Sequence, residues 1–96
     1  MLEKELEKKF CERIKAVGGL ALKFTSPGRA GVPDRAVLFN GKVYFAEIKR
    51  NGEKLRPLQE ATRKQFQNFG FDVAVIAGEE DIEIFVEKLK GGDAVA

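Results

Sequence analysis

Three residues have the types and the spacing to do chemistry together: Asp34, Glu47 and Lys49. They lie on two alternating runs, 34–39 and 42–49, that flank Asn40-Gly41. Asn-Gly between such runs is the strongest short-range signal for a two-residue type I′ hairpin. That loop length predicts the register: Phe39 faces Lys42, Leu38 faces Val43, Ala36 faces Phe45 and Asp34 faces Glu47. Side chains directly opposite on one face have β-carbons roughly 4.5–5.5 Å apart, and like charges placed there repel. Lys49 follows Glu47 on the same face by the two-residue period of a strand. Two facing carboxylates call for a compensating cation, and a divalent metal ion meets that need.

Composition narrows which metal. The chain has no histidine and one cysteine, Cys11. Serine–histidine and cysteine–histidine catalysis, histidine as general base, histidine-containing zinc sites and thiolate clusters are therefore excluded. Oxygen ligands remain, and they select hard ions, Mg²⁺ or Mn²⁺. The lone cysteine allows no intrachain disulfide and fits a reducing cytosol. No apolar run approaches the roughly 20 residues that cross a bilayer, and the first residues have no apolar signal-peptide core. A cytoplasmic protein without a membrane partner is expected. The net charge of +2 is unevenly spread: residues 23–64 hold ten Lys/Arg against four Asp/Glu, and the rest hold seven against eleven. The central segment is a candidate phosphate-facing surface, the alternative being an ordinary solvated one.

The elements that must position these groups can be read from periodicity. Residues 2–17 read as a helix with Leu6, Phe10, Ile14 and Val17 inward. On its wheel Glu3 falls near the middle of the inner stripe and Glu7 on its flank, which is either a first-turn dipole effect or a third carboxylate reaching the site. Leu20–Thr25 reads as a first strand, in which Lys23 faces either the site or solvent. Residues 26–32 form a Gly/Pro loop carrying Arg29. After the hairpin, 50–56 is a polar loop with Arg50, Lys54 and Arg56. Pro57 opens a helix to about Asn68, with Leu58, Ala61, Phe66 and Phe69 as its apolar positions and Gln59 in its first turn. Asp72–Ala77 reads as a buried strand, parallel to 43–49 across that helix. Residues 79–90 form a last helix with Ile82, Phe85, Val86 and Leu89 on one face. Ile84 lies off that stripe, as either an oligomer contact or an ordinary exposed residue, and 91–96 read as a frayed tail. The expected fold is α/β, in the order α-β-β-β-α-β-α, with a central mixed sheet flanked by helices in one domain spanning 1–96.

Pro33-Asp34 followed by Glu47-Ile48-Lys49 matches the Pro-Asp…(Asp/Glu)-x-Lys signature of the restriction-endonuclease-like superfamily. The longer pattern is Lys23-Phe24-x-Ser26-Pro27-Gly28-Arg29-x-Gly31-Val32-Pro33-Asp34-Arg35, then Phe45-x-Glu47-x-Lys49, then Leu58-Gln59. It resembles the virus-type replication and repair nuclease (VRR-NUC) family across nearly the whole chain, as a minimal, stand-alone member. The resemblance implies a metal-dependent phosphodiesterase. Asp34 and Glu47, helped by the Ile48 carbonyl, would ligate Mg²⁺ or Mn²⁺. Lys49 would orient or activate the attacking water, and Gln59 would position Lys49 or that water. The family also uses a first-helix glutamate, for which Glu3 is the choice and Glu7 the close second. Lys23, Arg29, Arg35, Arg50, Lys54 and Arg56 are candidate DNA contacts.

The resemblance further implies a structure-selective DNA endonuclease of repair and recombination, working in a bacterial or phage-infected cell. Four-way (Holliday) junctions would be its substrate and a homodimer its form, because two symmetric cuts need two active sites. The alternatives are a non-catalytic DNA-binding or assembly module of the same fold, and a nuclease acting on flaps or RNA.

Overall fold

The computed structural model describes residues 1–91. Its elements are α1 (Glu3–Ala16), β1 (Leu20–Lys23), β2 (Arg35–Phe39), β3 (Lys42–Ile48), α2 (Pro57–Asn68), β4 (Val73–Ile76) and α3 (Glu79–Gly91). This is the expected order. Of the tail expected to fray, Gly91 closes α3, and 92–96 lie outside the described residues.

The strands form one sheet in the order β1-β2-β3-β4. β1, β2 and β3 pair antiparallel, and β3 and β4 pair parallel, as a connection through α2 requires. Asn40 and Gly41 both have positive φ, 49° and 79°, as a type I′ turn demands. The hairpin register is the expected one, with Phe39 opposite Lys42, Leu38 opposite Val43 and Ala36 opposite Phe45.

The two-residue period gives the sheet two unlike faces. One carries Val37, Ala46, Ile48 and Ile76, packed beneath Leu6, Phe10 and Ile14 of α1 and Ile82, Phe85, Val86 and Leu89 of α3. The rings of Phe10 and Phe85 meet there at 5.3 Å. Ion pairs Lys9–Glu79 and Arg13–Glu83, each at 2.9 Å, link the two helices on their solvent side.

The other face carries Phe45 and Glu47 of β3 beside Val73 and Val75 of β4, and over this half lies α2. Phe66 stands edge-on to Phe45 at 5.0 Å, and Arg63 Nε donates to the Val73 carbonyl at 3.1 Å. The buried stripe of α2 does not follow its apolar positions. Gln59 and Thr62 are its buried residues, while Leu58, Ala61 and Phe69 are exposed. A helix covering half a sheet face buries one narrow stripe, here 59, 62 and 66, and the apolar residues of 58, 61 and 69 fall beside it. Ile84 is exposed.

Candidate active site

The site is built where the hairpin meets the carboxyl end of β3. Pro33 is buried and leads into Asp34, one residue ahead of β2. The Asp34 carbonyl accepts the Phe24 N–H at 2.9 Å, which fixes the backbone. Its carboxylate Oδ2 accepts the Ile48 N–H at 2.8 Å, which fixes the side chain across the hairpin. Glu47 comes from the same sheet face, is only 2% exposed and is hydrogen-bonded to Asp34. Its Oε1 is buried with no hydrogen-bond partner. Leaving a buried acceptor unsatisfied costs about 1–3 kcal/mol.

The electrostatics follow from this burial. Desolvation first, then the hydrogen bond with Asp34 and the Asp34 charge, push the Glu47 carboxyl up from 4.5 to about 8. The charges of Lys49 and Arg56 pull the other way and do not overcome it. With its carboxyl held near 8, Glu47 keeps its proton at neutral pH, and that proton makes the hydrogen bond to Asp34. A cation binding here displaces that proton. The donors are oxygens throughout, one of them orphaned, and that set fits a hard divalent ion. Among the described residues no third Asp, Glu, His or Cys joins them in a metal-holding cluster. Carbonyl and water oxygens would complete the shell, as Mg²⁺ favours.

Lys49 follows β3, half-buried, its N–H donating to the Ile76 carbonyl at 2.9 Å. Gln59 is buried at the start of α2, and its Oε1 accepts the Arg56 N–H at 2.9 Å. That bond caps the helix and leaves the amide N–H groups as what Gln59 can offer the site. Arg56 is exposed beside it, near enough for its charge to act on Glu47.

The remaining candidates are placed less uniformly. Glu3 is exposed in the first turn of α1. Glu7 is engaged elsewhere, accepting from Arg35 Nε at 2.9 Å. Arg35 is thereby turned onto the α1 face of the sheet, where it also reaches the Ala21 carbonyl at 3.5 Å. It is not among the cations gathered at Asp34 and Glu47, because its strand position is one residue out of phase with Asp34. Lys23 pairs with Arg35 in the ladder and so shares that far face. Arg29 and Lys54 are exposed on the flanking loops, and Arg50 is held by Glu53 at 3.6 Å.

Gly31, which the longer pattern contains without a stated role, and Thr62, which it passes over, secure the loop in front of Asp34. Gly31 has φ +83°, and a Cβ there would lie 2.9 Å from both the Leu58 carbonyl and Thr62 Oγ1. Thr62 is 1% exposed, and its hydroxyl has no partner. The loop thus rests directly on α2, one helical turn from Gln59. The available signal was the polar pair 59 and 62 at helical spacing, opposite a glycine three residues before Asp34.

A mixed four-stranded sheet with this helix order, and an Asp–Glu pair beside a lysine at its hairpin, is the architecture of the restriction-endonuclease-like nucleases. No protein-family model matches the chain. A solved structure described as a VRR_NUC domain superposes with a TM-score of 0.82 at 32% identity, covering 88% of this chain and 94% of that one. The protein named "Putative nuclease p44", from Acyrthosiphon pisum secondary endosymbiont phage 1, is 42% identical over 79 residues, 81% of this chain and 85% of that protein. The chain belongs to the VRR-NUC nuclease family. No helix among the described residues is long and apolar enough to cross a membrane.

Proposed function

We propose that the protein is a Mg²⁺- or Mn²⁺-dependent DNA endonuclease that cuts branched DNA, four-way junctions foremost, as a homodimer. The observation that carries the catalytic part is Glu47, a buried carboxyl set against Asp34 with one oxygen unpartnered. A purely structural glutamate would be paired or exposed, and burying it this way lowers stability. Asp34, Glu47 and the Ile48 carbonyl would hold the ion. Glu3, exposed at the first turn of α1, would serve as the helical carboxylate, since Glu7 is engaged with Arg35. When bound, such an ion lowers the pKa of its water and neutralises phosphate charge.

The chain's own groups do the rest. The Lys49 ammonium holds the attacking water and a phosphoryl oxygen, stabilising the charge that develops as the P–O bond breaks. Gln59, fixed by its cap bond, offers amide N–H groups that orient Lys49 or the water. Arg29, Lys54 and Arg56 follow the DNA backbone as salt-sensitive phosphate contacts. The junction preference and the dimer rest on family membership and on the need for two sites to make two symmetric cuts.

The test is a cleavage panel of four-way junction, flap, nicked duplex, linear duplex and RNA, each with Mg²⁺, Mn²⁺ or EDTA, with Glu47→Ala as control. Metal-dependent junction cleavage lost in Glu47→Ala is the expected result. Binding without cleavage in either metal would show a non-catalytic module. Preferential cutting of flaps or RNA would overturn the substrate assignment and leave the chemistry standing.

A further inference from the structure

Two buried side-chain oxygens lack a hydrogen-bond partner among the described residues, Glu47 Oε1 and Thr62 Oγ1. Glu47 belongs to the candidate site, and Thr62 stands on α2, one turn after Gln59. Nearly every buried polar group in a folded protein is paired, so two orphans in one small domain call for a common cause.

The fold brings the two to one level. α2 connects the parallel strands β3 and β4, so it runs back antiparallel to β3. Phe66 stands edge-on to Phe45 at 5.0 Å, and Arg63 donates to the carbonyl of Val73, the ladder partner of Phe45. These contacts fix the level of α2 along the sheet. One turn back from Phe66 is Thr62, a step of about 6 Å along the helix. Two residues on from Phe45, on the same face, is Glu47, an advance of about 6.6 Å. Because the two elements run in opposite directions, both steps lead the same way, and Thr62 stands level with Glu47. A second contact sets the azimuth of its side chain. A Cβ on Gly31 would meet Thr62 Oγ1 at 2.9 Å, so the hydroxyl lies toward the loop that delivers Asp34. The usual outlet of a helical threonine hydroxyl is the carbonyl one turn back. Thr62 does not take it.

On the reading of Asp34 and Glu47 as ion ligands, we infer that Thr62 is a positioning residue for Glu47. By a turn about its Cα–Cβ bond, its hydroxyl donates to Glu47 Oε1, so that the other carboxylate oxygen is kept facing Asp34 and an ion bound between them. The terminal torsion of a glutamate is broad, and a carboxylate held at one oxygen alone swings about it. A donor on the second oxygen removes that freedom. Hydrogen bonds that orient a ligating side chain in this way change metal affinity by about 10–100-fold. Gln59 is tied by its own Oε1 to the Arg56 N–H, whereas the Thr62 hydroxyl has no competing bond.

Calorimetric titration of the full chain with Mn²⁺ alone, without DNA, tests this on wild type, Thr62→Val and Thr62→Ser, with Glu47→Ala as background. Thermal melts in EDTA at the same pH accompany it. Valine keeps the shape and removes the hydroxyl, whereas serine keeps the hydroxyl and removes the methyl. The expected result is a split. Thr62→Val melts no lower than wild type in EDTA, because an unpaired buried hydroxyl has gone, yet binds Mn²⁺ about 10–100-fold more weakly. Thr62→Ser binds Mn²⁺ as wild type does. A valine variant with wild-type affinity overturns the inference. So does a serine variant as weak as valine, which makes the methyl responsible, and so does a valine variant that melts lower in EDTA, which makes the hydroxyl a prop of the fold. A wild type that binds Mn²⁺ no better than Glu47→Ala defeats the ion-ligand reading itself, a failure seen in those two proteins without the valine comparison.

Discussion

Replacing Glu47 by Gln should stabilise the metal-free protein, and by an amount that grows with pH. Unfolded, Glu47 titrates at its ordinary 4.5; folded, burial and Asp34 hold its carboxyl at about 8. Between those values the folded protein keeps a proton that the unfolded chain has released. Stability therefore falls by up to about 1.4 kcal/mol per pH unit across that interval and levels off above it. The displacement corresponds to about 3–5 kcal/mol by pH 8.5, the lower figure allowing for relaxation around the pair. Glutamine carries an amide donor where the protonated carboxyl has its hydroxyl, so it keeps the bond to Asp34 and has no charge to bury. For a domain of this size, 1 kcal/mol moves the melting temperature by about 4–8 °C, so the variant should melt at least about 10 °C above wild type at pH 8.5. Melting both proteins in EDTA from pH 5 to 9 gives the comparison, and titrations common to the two cancel. A wild-type melting temperature that stays flat over that range, or a glutamine variant that melts lower at pH 8.5, would refute the reasoning.

Other substitutions separate roles that lie close together in space. Gly31→Ala forces a β-carbon at positive φ onto the Leu58 carbonyl and Thr62, and should lower stability by about 2–4 kcal/mol, read by denaturant melts, with cleavage weakened as the Asp34 loop lifts from α2. Lys49→Ala should slow single-turnover cleavage on the order of 10²–10³-fold while Mn²⁺ binding, followed by calorimetry, persists; lost metal binding would move Lys49 from chemistry to architecture. Glu7→Gln breaks the half-buried pair with Arg35 and should lower the melting temperature with cleavage retained, whereas Glu3→Gln should reduce cleavage with the melting temperature unchanged. The opposite pattern would exchange the two glutamates.

Local signals carried much of this structure. Asn40-Gly41 alone determines which residues face each other across the hairpin, and through that the meeting of Asp34 with Glu47. The stripes of α1 and α3 were readable because the two helices together close one sheet face over an apolar core, so apolar period and buried face coincide. α2 broke that rule. It covers half a face above a polar site, so Gln59 and Thr62 went inward and Leu58 and Phe69 were left outside. Arg35 and Lys23 illustrate the other limit. A basic residue next to an acidic motif residue looks like a phosphate contact, yet strand alternation puts it on the far side of the sheet, where Glu7 takes up Arg35. The orphaned oxygens of Glu47 and Thr62 depend on contacts between residues distant in sequence, which no local pattern encodes.

The most direct measurement is the single-turnover rate at which wild type and Glu47→Gln cut a four-way junction in Mn²⁺. Glutamine preserves the shape and raises the stability of the fold, so any loss is a loss of the carboxylate. If the buried pair holds the ion for hydrolysis, the wild type cuts and the variant falls by at least about 10²-fold. A glutamine variant that cuts at the wild-type rate would contradict the assignment of the site.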